Sequence, residues 1–128
     1  MNKTVSIILT IAIIIAAFIF FTNGSKENKK PVIQNVEIID NIQYITITAK
    51  AGYSPSVTSA KSDIPTKIII KTNNTYDCSA ALVIRSINFQ KVLAQTGEEI
   101  IDIGIQKNGE KMTGTCSMGM YNFTINFN

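Results

Sequence analysis

The chain has 128 residues, 45% of them apolar and 16% charged, with 12 basic against 9 acidic side chains, a formal net charge of +3 and no histidine. That length holds one domain plus a short extra segment. Without imidazole there is no Ser-His-Asp or Cys-His catalysis and the usual ligands of Cu(II) and catalytic zinc are missing; with no Gly-rich phosphate loop either, no enzymatic activity is expected.

The first predicted element is Thr4–Thr22, which carries no charge and only Ser and Thr as polar breaks. Its length as a helix is roughly 28 Å, close to the hydrocarbon thickness of a bilayer. A cleaved signal peptide is the rival reading, but Thr22-Asn23-Gly24 is a poor small-x-small site and no lipobox cysteine follows. The expectation is an uncleaved single-pass anchor over 4–22 in the cell membrane, a polar Pro-terminated linker over 23–31, and a domain over 32–128. The charge divides accordingly. Lys3, Lys26, Lys29 and Lys30 against Glu27 account for the whole +3, whereas eight basic and eight acidic residues balance from Pro31 onward. A neutral domain argues against nucleic acid as a partner, and lysines beside the span suit headgroups and orientation. Three lysines after the span against one before it favour a cytoplasmic domain.

Beyond the linker the chain is rich in Ile, Val and Thr and lacks helical periodicity. Val32–Ile39, Ile42–Ala49, Thr66–Thr72, Ala80–Ile87 and Glu99–Gln106 read as short strands, with weaker candidates near Val57 and Val92. Asp40-Asn41 and Asn108-Gly109 read as tight hairpin turns. The last segment alternates Tyr121, Phe123, Ile125 and Phe127 with Asn122, Thr124 and Asn126, the pattern of a half-buried strand. Seven or eight short strands point to an antiparallel β-sandwich, large enough to fold as a monomeric domain without a disulfide staple.

Two cysteines fall at strand ends. Cys78 closes the polar loop that begins at Lys71, and Cys116 opens the loop into the last strand as Cys116-Ser117-Met118-Gly119-Met120. In extended chain Cys116, Met118 and Met120 would project to one side, with Cα atoms roughly 6.6 Å apart, and Gly114 and Gly119 would let the loop bend. Apart from the initiator, every methionine (Met112, Met118, Met120) lies within nine residues. Core fillers would scatter; Met112, ahead of the motif, reads as packing. Thiolates and thioethers select Cu(I), so the residues suggest a domain that buffers or delivers cuprous ion and does not cycle electrons. A disulfide between Cys78 and Cys116 is the competing reading, and it leaves the methionines unexplained. Glu98, Glu99 and Asp102 read as a solvated edge, and the sequons at Asn73 and Asn122 are short chance matches.

Ala51-Gly52-Tyr53-Ser54-Pro55, Ile64-Pro65-Thr66-Lys67-Ile68, the Asn73-Asn74…Cys78 loop and Cys116-x-Met118-Gly119-Met120 together resemble the cupredoxin-like domains of bacterial copper homeostasis, with cysteine at the position of the first histidine ligand. With the anchor added, the layout resembles that of membrane-anchored copper chaperones. The resemblance implies an all-β, cupredoxin-like Greek-key sandwich preceded by one transmembrane helix. It also implies one or two Cu(I) ions on Cys78 and Cys116, with Met118 and Met120 completing a second position, and a copper-exporting P-type ATPase as the partner that receives the ion. An extracytoplasmic copper scavenger of the same fold, and a disulfide-stapled β-domain without metal, are the alternatives.

Overall fold

The computed structural model describes residues 2–22 and 34–128, and the chain divides into two compact units, Met1–Val32 and Ile33–Asn128. In the first, helix α1 (Lys3–Thr22) is long and apolar enough to cross a membrane. An uninterrupted helix satisfies its backbone polar groups internally, as a hydrocarbon environment requires. Thr10 follows the same logic: its hydroxyl donates back to the C=O of Ile7 at 2.8 Å and of Ser6 at 3.2 Å. The linker expected over 23–31, and the start of the domain expected at 32, lie outside the described residues.

The described part of the second unit contains ten strands: β1 (Val36–Ile39), β2 (Ile42–Ala49), β3 (Tyr53–Ser54), β4 (Val57–Ala60), β5 (Pro65–Thr72), β6 (Ala81–Ile84), β7 (Phe89–Val92), β8 (Gly97–Ile105), β9 (Lys111–Cys116) and β10 (Asn122–Phe127). They form two five-stranded sheets. The first has the order β1-β2-β5-β8, with β3 on the end of β2; the second has the order β4-β10-β9-β6-β7. Strict alternation builds the core between them. Ile45, Ile47 and Ala49 of β2, Ile68 and Ile70 of β5, Leu82 and Ile84 of β6, and Phe123, Ile125 and Phe127 of β10 all point inward and are buried. The largest buried polar side chain is Gln43, fully buried in β2. Its amide donates to the Lys61 C=O and to Thr66 Oγ1 and accepts from Lys61 N–H, which ties the β4–β5 loop to the first sheet with no polar atom left over.

Three expectations need correction. The sandwich is not purely antiparallel, because β2 pairs with β5, and β4 with β10, in parallel. Between β2 and β5 the chain crosses through β4 of the opposite sheet, and a crossover returns a strand in the same direction, as a hairpin cannot. Asn108-Gly109 is a turn but not a hairpin: β8 lies in the first sheet and β9 in the second, and Gly109 N–H and Phe127 C=O anchor the passage at 2.8 Å. Asp40-Asn41 does form the two-residue hairpin, with φ of 51° and 62° at its centre. Finally, Ala80–Ile87 is not one strand. β6 occupies Ala81–Ile84, between 3-10 turns at Cys78–Ala80 and Arg85–Ile87.

Strand β9 was not expected. Lys-Met-Thr-Gly-Thr-Cys has few strong β-formers and a central glycine, yet Met112, Gly114 and Cys116 alternate inward with Lys111, Thr113 and Thr115. Gly114 therefore does not bend the sulfur loop. It lies inside a central strand against the ring of Phe123.

Candidate metal centre

Three loops meet at the end of the sandwich where β2 and β5 finish and β6 begins. The first, residues 50–52, turns β2 into β3; the second, 73–80, joins β5 to β6; the third, 117–121, joins β9 to β10. The register carries Cys78 and Cys116 to the same place, because Leu82 of β6 pairs with Cys116 and Ser117 N–H donates to the Ala81 C=O at 2.8 Å. The two sulfurs stand 3.2 Å apart as free thiols, Cys78 Sγ donating to Cys116 Sγ. Cys116 is buried and Cys78 half-buried.

Their surroundings make them unequal. Burial pushes the Cys116 thiol up, but the backbone N–H of Tyr121 (3.5 Å from Sγ), the Cys78 thiol and the N–H groups of Met120 and Met118 outweigh it and hold Cys116 below the usual thiol range. Cys78, which gives its proton to that hydrogen bond and lies near the charges of Cys116 and Asp77, is pushed up. Cys116 is thus the more acidic thiol of the pair and Cys78 the hydrogen-bond donor.

The loop after Cys116 is not extended. Gly119 N–H donates to Cys116 C=O at 2.9 Å, closing a turn, and Gly119 takes φ of 72°. Period-two projection of Cys116, Met118 and Met120 to one side therefore fails. Cys116 points into the core, whereas Met118 and Met120 are 75% and 65% exposed. Met120 lines a cleft of about 380 Å³ with Gly52 and Tyr53. Met112 is buried in the core, as a packing residue.

The residues that position Cys78 were not read from the sequence. Asp77 caps the 3-10 turn: its carboxylate accepts from Ser79 N–H at 3.1 Å and Ser79 Oγ–H at 2.7 Å, and from Ala51 N–H at 3.1 Å across the loops. These bonds, that of the Ser79 hydroxyl foremost, hold its carboxyl below the usual carboxylate range. Tyr53 donates its hydroxyl to Ser79 C=O at 2.9 Å and sets its ring edge-on to Phe123 at 5.2 Å. Burial, and then the charges of Cys116, Cys78 and Asp77, raise its hydroxyl well above the ordinary tyrosine range, so it remains a donor. Gly52, at φ of 117°, lies under the Tyr121 ring. The Asp77-x-Ser79 spacing is the one local signal that could have been read as a cap. Asp77→Ala leaves the fully buried Ser79 hydroxyl without an acceptor. A stability loss of about 1–2 kcal/mol is expected, visible as a lower denaturant midpoint at unchanged m-value.

The donor set suits a soft monovalent ion: two adjacent thiols, two exposed thioethers in the same turn and no imidazole. Asp77, the nearby carboxylate, is occupied by its three donors. Among the described residues no group of three or more His, Cys, Asp or Glu side chains could hold a metal ion. Glu98 and Glu99 are in ion pairs with Lys71 and Lys91.

A family model described as a cupredoxin-like domain matches residues 10–126. No curated protein matches the sequence. Solved structures that share the fold include two copper proteins. One is the metal-binding domain of the Cu(I)-exporting P-type ATPase CopA of Streptococcus pneumoniae D39 with Cu(I), at TM-score 0.63 and 20% identity over 73% of this chain and 92% of that one. The other is an NMR structure of a copper-binding protein in its apo form, at TM-score 0.64 and 17% identity over 73% and 94%.

Proposed function

Because the chain belongs to the cupredoxin-like domain family, we propose that it is a membrane-anchored Cu(I) chaperone or buffer, holding cuprous ion on Cys78, Cys116, Met118 and Met120 and passing it to a copper-exporting P-type ATPase. The observation that carries this reading is the pair of free thiols 3.2 Å apart beside two exposed methionines in a chain with no histidine. Two solved structures that share this fold are copper proteins, one of them part of a Cu(I)-exporting ATPase. Copper as cargo and such an ATPase as recipient agree with that likeness. Helix α1 serves as the single-pass anchor, with the domain on the cytoplasmic side by the lysine distribution. No catalytic role is proposed.

In this reading Cu(I) binds between Cys116 and Cys78 and takes the place of their thiol protons, which are released to water. Thiolates then hold the ion, while the exposed thioethers bind more weakly and exchange readily with an incoming sulfur ligand. A Cu(I) titration of the full chain in detergent, without oxygen and against a chromophoric chelator, tests it. The native chain is expected to outcompete the chelator, and Met118→Ala with Met120→Ala to keep one tightly held ion while losing a weaker one. The reading is wrong if the chelator retains all the copper. The same closeness of the sulfurs favours a second reading, a disulfide-stapled β-domain without metal. Thiol counting under mild oxidation, together with that titration, separates the two.

A further inference from the structure

The outer face of the second sheet carries a groove of about 530 Å³, lined from Gly119 of the sulfur loop through Thr115, Thr113 and Asn122 to Arg85 and Lys111. The register explains its composition. β9 and β10 turn Met112, Gly114, Phe123 and Ile125 into the core, so their Lys, Thr and Asn positions fall outward. No carboxylate lines the groove. Among the described residues the ion pairs are Lys71–Glu98 and Lys91–Glu99, and neither Arg85 nor Lys111 has such a partner. The acids lie elsewhere: Glu98, Glu99 and Asp102 are on β8 of the other sheet, and the carboxylates of Asp77 and Glu110 accept backbone N–H groups. Arg85 and Lys111, two of the domain's cations without an ion-pair partner, thus share one polar groove that holds no carboxylate and opens at the sulfur loop.

We propose that this groove is the docking surface for an acidic, extended segment of the protein that receives the copper. The guanidinium of Arg85 presents a planar fork to a carboxylate, and Lys111 adds a point charge at the far end. Between them, hydroxyl and amide groups of Thr113, Thr115 and Asn122 match the backbone and side chains of an extended polar chain. A segment seated here ends at Gly119, one residue from each of Met118 and Met120, so docking brings the recipient to the sulfurs and favours the encounter electrostatically. The identity of the partner as recipient rests on the copper reading; the groove's preference for carboxylates does not.

The test is fluorescence anisotropy of labelled hexaglutamate with the full chain in phosphatidylcholine nanodiscs, at low and at physiological salt. Binding that weakens with salt is expected, with affinity lowered about tenfold by Arg85→Ala plus Lys111→Ala. Lys61→Ala plus Lys67→Ala, which removes the same charge from other faces, should leave affinity within about twofold. No binding, or equal loss in both double variants, overturns the proposal. So does displacement of the peptide by dihexanoyl-phosphatidylglycerol but not by dihexanoyl-phosphatidylcholine, which would assign the groove to lipid headgroups. The Arg85→Ala plus Lys111→Ala chain should bind Cu(I) as the native chain does. Failure of the groove thus leaves the sulfur site standing, and failure of the sulfur site leaves the peptide result standing.

Discussion

Cys116→Ser is expected to lower Cu(I) affinity by more than about a hundredfold, because loss of a partner that merely supports a ligand already costs 10–100-fold. Cys116 is the buried member of the thiol pair and the one whose thiol backbone N–H groups make more acidic. A serine hydroxyl there stays protonated at neutral pH and offers a hard oxygen to a soft ion. The measurement is chelator competition on the full chain, with circular dichroism on the same sample to establish that the fold survives. Cys78→Ser should fall in the same class. Retention of native affinity by either folded variant would remove that residue from the site, and a loss no greater than that of the Met118/Met120 double variant would end the distinction between tight thiolates and weaker thioethers.

The largest expected effect on stability comes from Gly114→Ala. A Cβ at that position would stand 2.2 Å from Phe123 Cζ and 2.3 Å from Cε1, far inside contact distance. Phe123 is fully buried with its ring edge-on to Tyr53, so it has no free direction in which to retreat. Overpacking of this kind costs about 3 kcal/mol, the upper end of the usual range, or roughly 10–20 °C in Tm for a domain of this size. Because β9 ends at Cys116, a displaced strand also moves that sulfur. The cause can be isolated: in a Phe123→Leu background the cost of Gly114→Ala should shrink markedly. Thermal melts of the two single variants and the double variant decide it, and strictly additive losses would mean that the ring is not what excludes the side chain.

The strands that could be read locally are those whose alternation is strong. β10 places Phe or Ile at every second position, β2 and β5 place paired Ile at the centre of their inward faces (Ile45 and Ile47, Ile68 and Ile70), and the burial alternates accordingly. β9 escaped because its inward positions are Met, Gly and Cys, whose strand character comes from the neighbours they pack against. The turn at Cys116–Gly119 escaped for a related reason. Alternating sulfur residues look like an extended chain, but the Gly119 N–H bond to Cys116 C=O curls the segment and sends the methionines outward. Asp77, Ser79 and Tyr53 act through bonds between loops about 26 residues apart in sequence, which no local pattern announces.

By itself the sequence determined the chemistry on offer. Two cysteines, a cluster of methionines and no histidine leave sulfur as the available soft ligand, and a neutral β-branched domain follows an uncharged apolar segment. Only the tertiary structure decided that the thiols meet. Cys78 and Cys116 are 38 residues apart, and their 3.2 Å approach depends on the register of β6 against β9, set by the side chains packed between the two sheets. Ligand identity is a property of composition, whereas ligand geometry is a property of nonlocal packing, because a sulfur's position is fixed by the strand that carries it and that strand's by its neighbours.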